Sequence, residues 1–430
     1  MFTTKKIDPL TQTAVSLSRI AKQGGLSLGL VLSLAGGTVL PAAAADSVCG
    51  PKNIEAVASY FSTATASAPQ NYRNAYQHFP SREIPAAAKP FALTAGQPLG
   101  KVDYSYEGKE RSLDDFLKST RSNAFLVLHD GQILQEQYFN GASQQSHFLI
   151  NSMTKSLVGL LVGVAVEQGK IASLDDPITR YLPELAHSAY ATATVRQVLD
   201  MTTAMQFAGQ NPEAAGRGRD IEAAAGKSFG CNQSIRQHPT TALYSERSHH
   251  GERFTYINTN TQVLGMLVER VTGTSLSQFM ENNIWSRIGT ESSAYWLLDQ
   301  TDKSKAIEHA WVGLNARLRD LGRMGMLLAH GGEWQGQQLI SKAWINESMH
   351  PSEPFLQQLP ERPLFGYSHQ WWVPVGGEGE FMGIGFGGQY LYVNQPKQLV
   401  VVQLSTNPAY DPKKTSEETL AAFRAIATKL

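Results

Sequence analysis

Two cysteines, Cys49 and Cys231, are all that 430 residues contain. A disulfide-stapled scaffold and a zinc site built on cysteine thiolates are both excluded by so few, and one bridge is the most they can form. Excess charge is missing too, with 37 basic side chains facing 37 acidic ones. A nucleic-acid binder ordinarily carries a basic excess, so no nucleic-acid partner is expected. Charged residues make up 17% of the chain and apolar ones 42%, which excludes disordered and fibrous chains. Beyond residue 45 there is no repeat, no low-complexity tract and no apolar run of the ~20 residues that a membrane span takes.

The first 45 residues read as a secretory signal. Lys5, Lys6, Arg19 and Lys22 stand against one acid, Asp8, and Gly25–Leu40 carries no charge. Pro41 and Ala42-Ala43-Ala44-Ala45 then supply a small-residue cleavage site near Ala45. Because the basic stretch is long, retention as an N-terminal anchor is the alternative. The expectation is a periplasmic or secreted protein with no stable membrane insertion after cleavage. In that compartment a Cys49–Cys231 disulfide is permitted, and two unpaired thiols fit the sequence equally, because spacing does not report proximity.

The runs Ala124–Leu128 and Ile133–Phe139 flank Asp130-Gly131, a β-hairpin signature. Leu157–Val166 is apolar nearly all round, which predicts a buried helix ending at Gly169. Thr194 is placed to cap a short helix, and a further helix over Thr261–Val271 stops at Gly273. Two or three more fill 275–350. Strand character returns at Trp371–Val373, Tyr390–Val393 and Leu399–Leu404, before a last helix over about 416–429. Strands near both ends with helices between them predict an α+β fold, an antiparallel sheet flanked by helices with a mainly helical insertion. The expected division is an N-terminal wrap over 46–120, a sheet domain over 121–155 and 300–430, and a helical domain over 156–299. A polar loop at 206–253, read as a lid, belongs to the last.

Ser152 stands three residues before Lys155 at the start of the apolar helix, so the two share one helix face. A serine hydroxyl attacks only when a base takes its proton. Lysine is a base only when neutral, and burial lowers its pKa from ~10.4 by as much as ~3–5. Backbone N–H groups at the helix N-terminus favour a developing oxyanion. Downstream, Tyr256-Ile257-Asn258 leads from the polar segment into a helix, where a phenol could relay a proton to a leaving group. The bare Tyr-x-Asn pattern also occurs at Tyr72, Tyr138 and Tyr392, so position and not pattern singles out Tyr256. Gly383-Ile384-Gly385-Phe386-Gly387-Gly388-Gln389 precedes a strand, and glycines there admit close backbone approach by a ligand. His249-His250 reads as a surface pair without an acidic partner for a metal. Trp311 and Trp371-Trp372 read as core aromatics or as lining for an apolar cleft.

Together these elements resemble the S-x-x-K, Y-x-N and K-T-G set of serine β-lactamases and penicillin-binding proteins. More closely, the chain is similar to the class-C-like branch that includes 6-aminohexanoate-dimer hydrolase and carboxylesterases. The stretches that carry this are Asn151–Ser156, Asp176–Pro183, Val195–Thr202, Gly313–Asp320 and Gly388–Val393, within about residues 110–425. The resemblance implies Ser152 as nucleophile, Lys155 as its base and Tyr256 as proton relay. Asn258 would support lysine and substrate, and an oxyanion site would form around Gly387, Gly388 and Gln389. It further implies a β-lactamase/transpeptidase-like fold, a small-molecule amide or ester substrate, and neither metal nor cofactor. Phe386-Gly387-Gly388 stands where Lys-Thr-Gly is expected, so the cation and hydroxyl that grip a β-lactam carboxylate are missing. The expected function is an exported serine hydrolase that cleaves an amide or carboxylic ester through a Ser152 acyl-enzyme. The alternatives are a β-lactamase and a non-catalytic envelope binding protein on the same scaffold. The sequence does not reveal oligomeric state.

Overall fold

A computed structural model describes residues 50–207, 220–245 and 248–430. The export signal and its cleavage point lie outside the described residues. Eight strands form the main sheet, in the spatial order Phe365–Ser368, Trp371–Pro374, Glu380–Gly385, Gln389–Asn394, Leu399–Ser405, Ser122–His129, Gln132–Tyr138 and Thr94–Ala95. Only the pairing of Thr94–Ala95 is parallel. The hairpin expected around Asp130-Gly131 is present, and both residues have positive φ, 46° and 75°, as a type I′ turn requires.

Alternation of side chains along the strands divides the core in two. Ala124, Leu126 and Leu128 join Leu391, Val393, Val400 and Val402 on one face, with Leu321, Met324 and Leu328 of the helix Leu318–Ala329. Phe125 and Val127 join Tyr390, Tyr392 and Val401 on the other, under Leu420, Phe423 and Ile426 of the C-terminal helix Lys414–Lys429. Burial on both faces explains why these strands read as continuous apolar runs.

A second, four-stranded antiparallel sheet joins Ser81–Ile84, Ala294–Leu297, Leu314–Arg317 and His147–Leu149. Its last strand delivers the chain to the helix Met153–Glu167, which is buried from Met153 to Ala165. That helix packs against Asn258–Thr272 and against the main sheet. Gly159 and Gly163 permit the approach, because a side chain at either would collide with the His369 carbonyl or the Trp344 indole. No helix among the described residues is long and apolar enough to cross a membrane.

The described residues of the 206–253 segment differ from the polar loop expected there. Met205–Phe207 pairs with Ala242–Tyr244, and Glu222–Cys231 is a helix. Its buried residues are Ala225, Gly226 and Ser228, too small to give an apolar period that sequence reading detects. It packs on the helix Pro51–Tyr60, where Gly230 O accepts from Asn53 Nδ2 at 3.0 Å. Cys231, at its end, is disulfide-bonded. The one other cysteine of the chain, Cys49, lies outside the described residues.

Candidate active site

The turn into the helix Met153–Glu167 is made by Asn151, whose φ is 47°. Its side chain fixes that left-handed conformation by donating to Phe386 O at 2.8 Å and to the Tyr72 hydroxyl at 3.3 Å. Ser152 follows as the N-cap residue and stays half-buried. One turn on, Lys155 is 1% exposed. Its Nζ is hydrogen-bonded to Ser152 Oγ at 2.9 Å and donates to Trp311 O at 2.8 Å. The Tyr256 and Trp311 rings close round it, with centroids 5.2 Å and 5.5 Å from Nζ. Loss of water lowers the Lys155 pKa to about 7, against the opposing pull of the Asp220 carboxylate. An amine that titrates near neutrality can accept a proton from the hydroxyl beside it.

Tyr256 reaches Ser152 from the other side. Burial raises its phenol pKa, and a hydrogen bond to Ser152 and the charge of Arg362 draw it part of the way back. Its ring stacks on Trp372 at 5.9 Å. Two residues later Asn258 begins the helix Asn258–Thr272. The backbone N–H groups of Asn258 and Thr259 donate to Asp220 at 2.9 Å and 2.7 Å, and Thr259 Oγ1 donates to it as well. Asp220 therefore caps this helix beside Lys155, a placement that sequence reading missed. It stands 38 positions before the backbone it caps, inside the polar segment, with no local motif to mark it.

The glycine-rich segment lies directly against the start of the serine helix. A side chain on Gly385 would strike the Ile150 carbonyl, and one on Gly383 would stand 2.9 Å from Met153 Cγ. Gly387 and Gly388 have φ of 82° and 93°, which a side chain would strain. The Gln389 amide turns inward, donating to Phe386 O at 3.2 Å and to Ser405 O, which leaves main chain rather than side chain to meet a ligand. The Ser152 backbone N–H has no acceptor among the described residues. Phe386 is 48% exposed and meets Tyr410 edge-on at 5.3 Å.

Two other readings, of the tryptophans and of the histidine pair, are resolved by position. Trp311 and Trp372 line the site, whereas Trp371 is core, packed on Phe381. His250 is no free surface ligand. Half-buried, its Nδ1 accepts from Ala204 N and its Nε2 bonds Ala189 O, both at 2.8 Å. Among the described residues no group of three or more His, Cys, Asp or Glu could hold a metal ion.

Residues 110–425 match the β-lactamase family. The 6-aminohexanoate-dimer hydrolase of Paenarthrobacter ureafaciens is 30% identical over 339 residues, 76% of this chain and 83% of its own. A solved structure from Bacillus anthracis, assigned as a 6-aminohexanoate-dimer hydrolase, superposes with TM-score 0.74 at 23% identity, covering 89% of this chain and 98% of that one. A family VIII carboxylesterase superposes with TM-score 0.55 at 18% identity, covering 74% and 96%. These two share the fold. Family match, identity and fold agree with the sequence-level resemblance, and the chain belongs to the β-lactamase family as a serine hydrolase.

Proposed function

We propose that this chain is an exported serine hydrolase that cleaves an amide or carboxylic ester through an acyl-enzyme on Ser152. The observation that carries the reading is the 2.9 Å contact between Ser152 Oγ and a buried Lys155 amine. Neutral Lys155 takes the hydroxyl proton as Oγ bonds the acyl carbon. The oxygen that gains charge is met by the backbone N–H groups of Ser152 and Gln389, with Gly387 and Gly388 admitting the close approach of the acyl group. Tyr256, whose phenol lies next to Ser152, passes a proton to the departing nitrogen or oxygen, and Lys155 restores it. Water then attacks the ester, giving its proton to Lys155, and the acid leaves as Oγ is reprotonated. Asn258 stands next to the relay to hold the substrate carbonyl side. The relative's name makes amides of the 6-aminohexanoate-dimer kind, beside simple carboxylic esters, the first candidates for substrate.

A purely binding role leaves unexplained why an amine is held dry against a hydroxyl. β-Lactamase activity is disfavoured by the exposed phenyl of Phe386, where that chemistry uses a cation and a hydroxyl. Export is supported by the disulfide at Cys231, because such bonds persist in oxidising compartments. The test is mass spectrometry after a fluorophosphonate probe, beside turnover of p-nitrophenyl esters and nitrocefin by wild type and Ser152→Ala. An adduct on Ser152 with ester turnover lost in Ser152→Ala is expected. No adduct and no turnover would overturn the reading.

A further inference from the structure

The N-terminal segment touches the site although it lies outside residues 110–425, the part of the chain that matches the family. Between the helices Pro51–Tyr60 and Ala68–His78 the chain packs against the glycine-rich segment. Thr63 is 5% exposed there, and a side chain on Gly387 would come within 2.9 Å of its methyl. Arg121 pins this passage by donating to the carbonyls of Thr63, Thr65 and Thr406. Tyr72, 2% exposed, follows in the second helix. Its hydroxyl donates to Phe61 O at 3.1 Å, which leaves the oxygen to accept from Asn151 Nδ2 at 3.3 Å.

An amide nitrogen carries two protons. Asn151 gives one to Tyr72 and the other to Phe386 O at 2.8 Å. Asn151 is thus a crosslink between the turn that aims the Ser152 N–H and the segment that leads to the Gln389 N–H. Both partners are needed to hold the crosslink in one orientation. Without the Tyr72 hydroxyl a buried amide proton has no acceptor, and the side chain gains by turning away from Phe386. The left-handed backbone of Asn151, φ 47°, then loses part of what sustains it. Resting on the hydrolase reading above, we propose that Tyr72 is a positioning residue for the oxyanion site, holding Asn151 so that the Ser152 turn stays tied to Phe386. Acylation and deacylation both pass through an oxyanion, so both depend on it. The Ser152–Lys155 pair is not part of the crosslink, so the base titrates as before.

Two measurements on Tyr72→Phe, which keeps the ring, test this. The control is Tyr60→Phe, which deletes a hydroxyl of the same segment that donates to Asn71 O at 2.9 Å rather than meeting Asn151. With 4-nitrophenyl butyrate, the acylation and deacylation rate constants should each fall at least ~10-fold in Tyr72→Phe, with substrate affinity changed less than ~2-fold. The apparent pKa of acylation should stay in place, and Tyr60→Phe should match wild type. Unchanged rates, or an equal fall in Tyr60→Phe, overturn the proposal. A moved apparent pKa overturns it too, by placing the effect on Lys155. The second measurement, hydrogen exchange read by mass spectrometry, needs no turnover. The amides of Met153, Thr154 and Gly388, bonded to Ile150 O, Asn151 O and Gly385 O, should exchange at least ~10-fold faster in Tyr72→Phe and not in Tyr60→Phe. Unchanged exchange there overturns the proposal even if the hydrolase reading stands. Faster exchange confined to Tyr72→Phe sustains the crosslink even if Ser152 takes no label.

Discussion

The Asp220 carboxylate accepts the backbone N–H of Asn258 at 2.9 Å and so caps the helix that opens beside Lys155. Its charge also favours the protonated form of that lysine. Asp220→Asn removes the charge and keeps an oxygen able to cap. The Lys155 pKa then falls further, and the rising limb of the kcat/KM profile moves to lower pH. A pH-rate series on both proteins checks this, and a limb that stays in place or moves up contradicts it. Asp220→Ala also loses the cap and should cost ~0.5–2 kcal/mol of stability.

Keeping Lys155 dry is expensive at neutral pH. Its folded pKa of about 7 lies below the 10.5 of a solvated lysine, so between those values the unfolded chain binds more protons. Stability therefore rises with pH from about 7 toward 10.5. The shift corresponds to about 5 kcal/mol at most. Lys155→Met lacks this slope. It should be inactive, and its stability relative to wild type should be greatest at pH 6 and shrink by pH 9.5. Urea denaturation at the two pH values reads the difference, and an equal difference at both contradicts a neutral buried amine.

Asp200 presents the opposite sign. It caps the short helix Val195–Leu199 at its C-terminal end, is buried, and accepts the His369 backbone N–H at 2.7 Å. Desolvation raises its pKa to about 7 from 3.8. The folded chain thus binds the extra proton between about 4 and 7, and stability is lost as pH rises through that window. Asp200→Asn should be more stable than wild type at pH 8, by up to about 4 kcal/mol, and show little gain at pH 4. A gain that does not grow with pH would contradict it.

Tyr256→Phe keeps the ring on Trp372 and deletes the phenol. Acylation should slow by ~10²–10⁴, with substrates that have poor leaving groups suffering most. Burst kinetics on an activated ester and an anilide separates the two. Equal losses on both would place the hydroxyl outside leaving-group protonation.

What the sequence made legible was whatever local periodicity or spacing encodes. The hairpin at Asp130-Gly131, the buried helix after Ser152 and the strands Gln389–Asn394 and Leu399–Ser405 are all present. The Ser152–Lys155 contact follows from i,i+3 geometry alone. Asp220 was not legible as a site residue, and Trp311 was legible only as one of two readings, core aromatic or cleft lining. Each arrives from a distant segment through tertiary packing, and neither stands in a spacing that local chemistry demands. The helix Glu222–Cys231 was hidden because it packs through alanine, glycine and serine. Tyr72, one of the Tyr-x-Asn tyrosines set aside, meets Asn151 only because the helix Ala68–His78 folds back onto the strand before Ser152.

The central claim is that a dry Lys155 activates Ser152. The rate of fluorophosphonate labelling at Ser152, followed by mass spectrometry from pH 5 to 10, tests it most directly. The account predicts a rate that rises through an apparent pKa of about 7 and levels off above it, with labelling abolished in Ser152→Ala. A rate that climbs only beyond pH 10, as a solvated lysine would give, or an adduct at any other residue, would contradict it.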